Sequence, residues 1–418
     1  MSEYINNAKL RAEALSRFFL EMTEQKETGA EIVKRYRDYI DAAHPYDVIV
    51  ATDRLMQHGL DLPVVKTGVN RCINMLYKVL HERKIPEYAD LPFFREMALE
   101  NEQLDLRLQH IKPLLQAINN KDLPLQEKVE CFEKLLSGIK DLESFNLHYV
   151  RKENILFPSI EHHLKEHGCI PLMWSYHDDI RKLIKDILTL PSDQFPDLEK
   201  LNQLTGDLFF NLYAIRFREE YILFPVVAGL FSDRETADMM VQAYEIGFAW
   251  IAEKLPNQDL FMKQHCMDKE SGTQNRPDDN GEPFFVDLGT GSLTIEQAIM
   301  MLNSLPVDIS YVDENDTVRY FSNPPERVFT RSKAIIGRQV EKCHPPSSVQ
   351  AVKDLIEAFR SGKKDKESFW IQMGGKFLLI QYFALRDENK RFRGTLEVSQ
   401  DITDIRKLEG EKRLMNGE

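Results

Sequence analysis

The spacing of apolar residues divides the chain into a helical first part and a strand-rich last part. Up to about residue 254, apolar side chains recur every three to four positions, as in Leu15, Phe18 and Met22, which predicts amphipathic helices with one buried stripe. After about residue 290 apolar and polar residues alternate, as in residues 307–312, which predicts strands. We therefore predict a multidomain protein, α in its first part and α+β in its last.

Prolines and polar stretches mark the expected domain boundaries. Residues 84–92 are punctuated by proline, and residues 267–283 are polar and rich in Gly, Pro, Asp and Asn, which is typical of a flexible linker. The predicted order is a helical N-terminal module over residues 1–85, a four-helix up-down bundle with a following helix over residues 86–255, a linker over residues 256–285, and an antiparallel sheet with helices over residues 286–418, ending in a helix from about Asp404.

The second of these segments contains an internal repeat. The string ENILFP at residues 153–158 recurs as EYILFP at residues 220–225, which is 67 residues later. A pair of amphipathic helices precedes each copy, and two such hairpins bury their apolar faces only by closing on each other. This predicts the four-helix bundle, in which Pro158 and Pro225 are expected to bend or end their helices.

Histidines and carboxylates fall at related positions of this repeat. Side chains of both types on facing helices are the ligands of metal sites in bundles. The alternative is that they are ordinary charges beside a buried Leu-Phe-Pro anchor. The candidate metal ligands are His148, His177, Glu153, Glu219, Glu220 and, in a register set by the repeat offset, His110. A second register places Asn101, instead of His110, opposite His177.

Three groups of motifs carry a resemblance to known families. The strings HYVRKENILFP (148–158), SYHDDIRKLI (175–184) and FREEYILFP (217–225) resemble a haemerythrin-like, HHE cation-binding bundle. Residues 31–37 and 53–59 resemble the helical "domain of unknown function 438" that precedes such bundles. The strings IIGRQVEKCHPPSSV (335–349) and GTLEVSQDITDIRKLEGEKRL (394–414) resemble a PAS sensor domain of the kind joined to them.

The resemblance implies a non-haem iron site with a reduced set of ligands. Haemerythrin-like bundles hold a pair of irons through histidines and bridging carboxylates, and His148, His177 and Glu219 match three of those positions. Ile215 stands in the fourth-helix histidine position and Lys152 in the second-helix carboxylate position, with Glu153 one residue later. The expected site is therefore mononuclear or dinuclear, and depleted.

The PAS-like segment offers a second candidate cofactor site at Cys343 and His344, which two prolines follow. A histidine in the helical half of a PAS domain faces the pocket in which relatives bind haem, flavin or small metabolites. The alternative is that His344 packs or forms a hydrogen bond near the start of the next helix. PAS domains usually dimerise, so the resemblance also implies a homodimer.

Composition narrows the class of protein. With 54 Lys and Arg against 67 Asp and Glu, the net charge of −13 argues against a nucleic-acid partner. The apolar runs are too short for a membrane span, the five cysteines lie too far apart for a disulfide framework, and no Gly-rich nucleotide motif occurs. These features predict a cytoplasmic location.

Together these observations favour a sensor or regulatory protein over an enzyme. Its bundle would bind iron and respond to oxygen, nitric oxide, redox state or haem, and its PAS-like domain would bind a small ligand or gas, form a homodimer and act on a downstream protein partner. The alternatives are a non-haem iron enzyme, an iron-handling or repair protein, a haem-binding protein that uses the PAS-like or bundle histidines, and a metal-free interaction scaffold.

Overall fold

The structure, a computed structural model, describes residues 2–83, 88, 91–191, 195–255, 261 and 285–410. The chain divides into two compact units, residues 1–267 and 268–418, which we call the helical unit and the sheet unit. Most of three predicted segments lies outside the described residues. These are the linker, apart from Phe261 and Phe285, the boundary at residues 84–90, apart from Tyr88, and the chain after residue 410, where the C-terminal helix was predicted to continue.

The helical unit begins with helices that pack around α1. These are α1 (Ser2–Glu24), α2 (Gly29–Arg35), α3 (Arg37–Asp41), α4 (Pro45–Gln57) and α5 (Leu62–Glu82), and α1 lies along α4 and α5. Helices α2 and α3 are separate, because Tyr36 between them has φ −101° and ψ 10°, outside the regular helical conformation.

The following helices enclose the candidate metal ligands. They are α6 (Pro92–Asn119), α7 (Leu125–Asp141), α8 (Asn146–Arg151), α9 (Phe157–His163), α10 (Cys169–Leu188), α11 (Leu198–Arg218), α12 (Phe224–Val227) and α13 (Asp233–Ile246). Helix α6 packs along α7, α7 contacts α10, α10 packs along α11, and α11 contacts α6. These four helices therefore contact one another in a closed ring.

Two π turns interrupt the helices at equivalent positions of the repeat. Lys152–Leu156 joins α8 to α9, and Glu219–Leu223 joins α11 to α12. Each turn stands directly before the helix that contains Pro158 or Pro225. Because proline has no N–H to donate to the carbonyl four residues earlier, the helix widens locally at this point. Each proline that was predicted to bend or end its helix thus stands two residues after the end of a π turn.

One apolar core runs through the whole helical unit. Buried side chains form a continuous cluster from Leu15 in α1, through Val69 in α5 and Leu104 in α6, to Met240 in α13. The segments predicted as separate domains, residues 1–85 and 86–255, therefore share a core within one compact unit.

Helix α13 begins where its cap predicts but ends earlier than expected. The Ser232 side chain accepts a hydrogen bond from the Glu235 N–H, and the Glu235 side chain accepts one from the Ser232 N–H. The helix was expected to reach about Lys254. It ends at Ile246, because Gly247 has φ +92°, a conformation that a regular helix excludes.

The sheet unit confirms the predicted antiparallel sheet with helices. Its elements are β1 (Phe285–Asp287), β2 (Ser292–Thr294), α14 (Ile295–Ser304), β3 (Asp308–Asp313), β4 (Val318–Phe321), α15 (Pro346–Arg360), β5 (Lys366–Met373), β6 (Lys376–Arg386) and β7 (Phe392–Asp401). Strands β3 to β7 form one antiparallel sheet of order β4-β3-β7-β6-β5, and β1 and β2 form a separate hairpin that the sequence pattern did not indicate.

The described part of the C-terminus differs from the predicted helix. After β7 the chain makes one 3-10 turn, Ile405–Lys407, and Leu408 then has the extended values φ −70° and ψ 130°. None of the helices in the described residues combines the length and the apolar character that a membrane crossing requires.

Candidate functional site

A buried network of charged groups lies inside the ring of helices, with the Glu219 carboxylate at its centre. Its Oε2 accepts hydrogen bonds from Asn101 Nδ2 at 2.9 Å and from His148 Nε2 at 3.0 Å, and its Oε1 is paired with the Lys152 ammonium. All four side chains are almost completely buried. The network therefore connects α6, α8 and both π turns.

A second carboxylate, Glu100 of α6, lies on the other side of His148. Its Oε2 is 2.9 Å from His148 Nδ1 and is also paired with the Arg151 guanidinium, while its Oε1 accepts the Ala249 N–H at 2.6 Å. His148 is thus held between two carboxylates, which are both acceptors.

The third carboxylate, Glu153, belongs to the first π turn. Its Oε1 lies 2.7 Å from His177 Nδ1, and Arg181 Nη2 donates to both of its oxygens at 2.9 Å. The His177 ring stacks on the Tyr149 ring at 4.3 Å between centroids. Burial lowers the pKa of His177 well below its usual value, and the charges of Lys152 and Arg181 lower it further. His177 is therefore a neutral imidazole that donates to Glu153 from Nδ1.

Each carboxylate of this network is paired with a basic side chain. Burial alone would raise the pKa of Glu219, but the charges and hydrogen bonds of Lys152 and His148 outweigh it and hold that pKa at about 2. Burial lowers the pKa of Lys152, and the charge of Glu219 opposes that shift. Each of the three carboxylates has one Lys or Arg partner, namely Lys152 for Glu219, Arg151 for Glu100 and Arg181 for Glu153.

The donor atoms present fit a dinuclear iron centre poorly. A metal needs several unprotonated donor atoms directed at one point, whereas both nitrogens of His148 face carboxylates and the carboxylates are bound by Lys and Arg. Over the residues that the structure describes, no three or more His, Cys, Asp or Glu side chains are arranged to hold a metal ion. His177 Nε2 and Asn101 Oδ1 are buried without a hydrogen-bond partner, and each can accept a hydrogen bond.

The structure brings together four of the six residues predicted as metal ligands: His148, His177, Glu153 and Glu219. Glu220 lies outside the network, where its Oε1 accepts from Arg216 Nε at 2.8 Å. His110 is exposed, with Nδ1 2.6 Å from its own helix's Leu106 carbonyl, so the structure does not bring it to His177. Asn101, the residue of the second register, occupies the network instead.

Sequence reasoning missed three members of the network: Glu100, Arg151 and Arg181. Glu100 precedes Asn101 in the middle of α6, and Glu96 of the same helix is also buried. Acidic and amide residues at helical spacing on the buried side of a helix indicate that basic side chains lie next to them in the interior, because unpaired buried charges are strongly unfavourable. Arg151 follows His148 by three residues, and Arg181 follows His177 by four. Both are basic residues one helical turn from a predicted ligand, and they could have been identified as the missing partners.

The sheet unit contains a second polar interior. In the antiparallel register Asp308 faces Ser399, and Ser310 faces Glu397, so these four residues of β3 and β7 share one face of the sheet. Asp308, Ser310 and Ser399 are buried. Tyr382 of β6 lies opposite Glu397 on the same face. The middle of this sheet face is therefore polar, where an apolar core would be expected.

Two arginines from the segment after β4 approach this face. Arg327 Nη2 lies 3.6 Å from Asp308 Oδ2, and Arg331 Nη2 lies 3.8 Å from Glu397 Oε1, both longer than a direct hydrogen bond. Four polar atoms of this interior are buried without a hydrogen-bond partner: Asp308 Oδ1, Thr395 Oγ1, Arg327 Nη1 and Arg331 Nε. Both donors and acceptors are thus left unpaired.

The predicted cofactor residues of the sheet unit lie nearby. Burial, aided by the charge of Arg331, lowers the pKa of His344 to about 4, so its imidazole is neutral at neutral pH. Cys343 packs against the small apolar cluster of Val312, Val318 and Ile335, with its Sγ 3.8 Å from the Gln339 carbonyl oxygen. The charge of Arg331 thus acts on His344, whereas Cys343 packs against the apolar cluster.

Comparisons with known proteins identify the C-terminal part of the chain. Residues 299–403 match the PAS domain family. The C-terminal domain of a protein from Streptococcus mutans is 37% identical, with 30% of this chain and 98% of that one covered and a TM-score of 0.29. A PAS domain from Colwellia psychrerythraea is 18% identical, with 26% and 98% covered and a TM-score of 0.21. No curated protein matches the chain. The family match and the five-stranded antiparallel sheet with its helices agree, and residues 299–403 of this chain are a PAS domain.

Proposed function

We propose that the protein is a sensor. Its PAS domain binds a small polar ligand, and its helical unit contains no metal and regulates by interacting with other molecules. A PAS domain indicates a sensor or regulatory role. The observation that carries the proposal is the set of four buried, unpaired polar atoms in the PAS interior. Buried polar groups are normally hydrogen-bonded, so such a set is satisfied by a bound ligand or by ordered water.

The arrangement of these atoms favours a ligand that has both acceptors and donors. Arg327 and Arg331 offer N–H donors, which suit a carboxylate or a similar anionic group. Asp308 offers an acceptor, which suits a hydroxyl or an amino group of the same ligand. Haem, the alternative from the sequence, would place a large apolar ring against this polar face, although the neutral imidazole of His344 is in the right protonation state to bind iron.

For the helical unit we propose that the Lys152 ammonium neutralises Glu219, the role that a metal ion would have in a haemerythrin-like bundle. Its ammonium is paired with Glu219, the carboxylate that matches the haemerythrin-like pattern. A metal ion there would have to displace a buried ammonium and add positive charge to a network in which each carboxylate already has a Lys or Arg partner. Among the functions considered from the sequence, the network therefore favours a metal-free interaction body over an iron enzyme or an iron-handling protein.

The test is a joint measurement of metal content and absorption on untagged protein after anaerobic loading with iron or haem. We expect neither stoichiometric iron nor a Soret band. The double variant Lys152→Glu/Ile215→His places a carboxylate and a histidine at the two positions where the haemerythrin-like pattern has them, and it should take up iron. His177→Ala in that background should abolish the iron absorption, because it removes a buried nitrogen donor.

Either cofactor on the wild-type chain would contradict the proposal. Stoichiometric iron that is lost in His177→Ala would establish a metal site in the helical unit. A Soret band that disappears in His344→Ala would make the PAS domain a haem site. Lys66→Glu, which changes the same charge at a different part of the helical unit, serves as the control for general effects of charge reversal on metal uptake.

We further propose that the protein is a homodimer through the sheet unit. Helix α14 contains no buried residue, and four of its apolar side chains are exposed: Ile295, Ile299, Met300 and Met301. Phe285 and Leu288 of the preceding hairpin are also exposed. Contiguous exposed apolar side chains of this kind mark interaction surfaces, and a second copy is the partner that a PAS domain most often has.

Light scattering after size-exclusion chromatography tests this surface. We expect a dimer for the wild type and a shift to monomer for Met300→Glu, because the new carboxylate would have to be buried in the interface. Lys363→Glu, an exposed position in the turn after α15, should remain dimeric. A monomeric wild type, or a dimer in both variants, would contradict the assignment of the dimer to α14.

A further inference from the structure

Arg218, at the end of α11, is a buried cation with no carboxylate partner. Its side chain is only 6% exposed. Its Nη1 donates to the Ala214 carbonyl of its own helix at 2.8 Å, and its Nη2 donates to the Tyr176 hydroxyl at 3.1 Å and to the Asn70 side-chain oxygen. The guanidinium also lies over the Tyr176 ring, 4.5 Å from its centroid. All of these partners are neutral.

The charge of Arg218 therefore lacks compensation in the part of the chain that the structure describes. Its Nε is buried and has no hydrogen-bond partner. An arginine does not lose its proton in a protein, so it cannot escape burial by becoming neutral, and an unpaired buried charge is strongly unfavourable. The acids of this region have other partners: Asp179 pairs with Lys66 at 2.6 Å, and Asp53 accepts the Gly168 N–H at 2.8 Å.

A small cavity lies against the Arg218 side chain. It has a volume of about 30 Å³, and its walls come from α4 and α5 on one side and from α10, α11 and the second π turn on the other. Thr52, Cys169 and Met173 are its other polar or polarisable wall residues, and Val48 and Ile222 are among the apolar ones. The volume exceeds what one water molecule requires, but it is too small for a metabolite.

We propose that this cavity is a binding site for one small monovalent anion of halide size, held by Arg218. The anion would supply the negative charge that the guanidinium lacks and would accept a hydrogen bond from a donor that is otherwise unpaired. A dianion such as sulfate is excluded by size, since the walls are mostly closely packed aliphatic side chains.

The location of the site gives the anion a structural role. The cavity lies where the N-terminal helices α4 and α5 meet the rest of the helical unit, so its occupant contacts both sides of that junction. Binding to the folded protein but not to the unfolded chain stabilises the fold in proportion to the logarithm of ligand concentration. The anion would therefore stabilise the packing of α4 and α5 against the helices that contain the buried charge network.

Chloride itself is the probe for the experiment, which measures the ³⁵Cl NMR line width with the full-length protein in gluconate buffer of constant ionic strength. We expect excess broadening that saturates with chloride and is displaced by bromide. The thermal midpoint of the helical unit should rise over the same range of chloride concentration. Arg218→Met should lose both effects, because it keeps a long apolar side chain but removes the charge.

Two further variants keep the result interpretable. Arg216→Met removes a cation two residues away that already has Asp105 and Glu220 as partners, and it should retain the broadening. Val48→Leu keeps Arg218 but fills the cavity, and should lose the broadening even if Arg218→Met proves too unstable to study. No saturable broadening in the wild type, or broadening that persists in Val48→Leu, would overturn the proposal.

Discussion

Replacing Glu219 with Gln is expected to lower the free energy of unfolding of the helical unit by about 3–5 kcal/mol, which is the range measured when one partner of a buried ion pair is removed. Glu219 accepts from Asn101, His148 and Lys152 inside a fully buried site. A glutamine there keeps the shape, but leaves the Lys152 ammonium without its negative partner and His148 Nε2 without a charged acceptor. Urea denaturation followed by far-UV circular dichroism measures the loss.

The neighbouring carboxylate provides a matched control for this substitution. Glu220 is paired with Arg216 in a partly exposed position, where an ion pair contributes about 1 kcal/mol or less. Glu220→Gln should therefore have a small effect. Lys152→Met combined with Glu219→Leu should recover much of the stability, since apolar replacement of both partners removes the unpaired charge. Equal losses for Glu219→Gln and Glu220→Gln would show that the network does not stabilise the fold.

The same carboxylate predicts how stability depends on pH. The pKa of Glu219 is about 2 in the folded protein and near its ordinary value of 4.5 when unfolded. A carboxyl group with a lowered folded pKa stabilises the protein above the unfolded pKa and loses that contribution as pH falls towards the folded one. Its share of the stability should therefore be present at pH 5 and above, decline below about pH 4.5, and be absent from the Glu219→Gln variant.

Gly394→Ala is expected to destabilise the sheet unit by about 3 kcal/mol or more, through a clash and backbone strain together. Gly394 has φ +134°, and a Cβ at this position would lie 2.2 Å from the Val312 carbonyl oxygen. The residue is held between Asp313 of β3 and Leu385 of β6 in the register of the sheet. The backbone has no room to move, because both neighbouring strands are hydrogen-bonded to β7.

Differential scanning calorimetry with hydrogen exchange on β6 and β7 measures this effect. Because the sheet unit is a compact body of its own, we expect the loss of protection to be confined to it. Gly291→Ala is the control, since a Cβ there meets nothing within 4 Å and the position has no positive φ. Normal exchange protection of β6 and β7 in Gly394→Ala would contradict the expected clash.

Local chemistry made much of the fold predictable. The caps formed by Ser232 with Glu235 and by Thr294 with Gln297, and the Gly374-Gly375 turn between β5 and β6, are local features that short stretches of sequence encode. The division at Tyr36 and the early end of α13 depend on single backbone conformations that periodicity does not encode.

The candidate site was predictable only in part, because sequence spacing shows which residues share a helix face but not which groups pair across helices. The repeat brought His148, His177 and Glu219 to attention. Whether Asn101 or His110 faced them depended on the register of α6, which two conflicting spacings left open. The partners Glu100, Arg151 and Arg181 are set by tertiary contacts, which appear only when the helices are in place.

The pairing of Lys152 with Glu219 has a consequence for the two copies of the repeat. The two residues occupy the same position in their respective copies, 67 residues apart, and each begins a π turn. In an assembly of two identical hairpins, that position would carry the same residue twice, and like charges would repel. Opposite charges at this position require two copies that differ in sequence. The ion pair is therefore possible only because the two copies are not identical, and it makes each copy dependent on the other for the charge that it lacks.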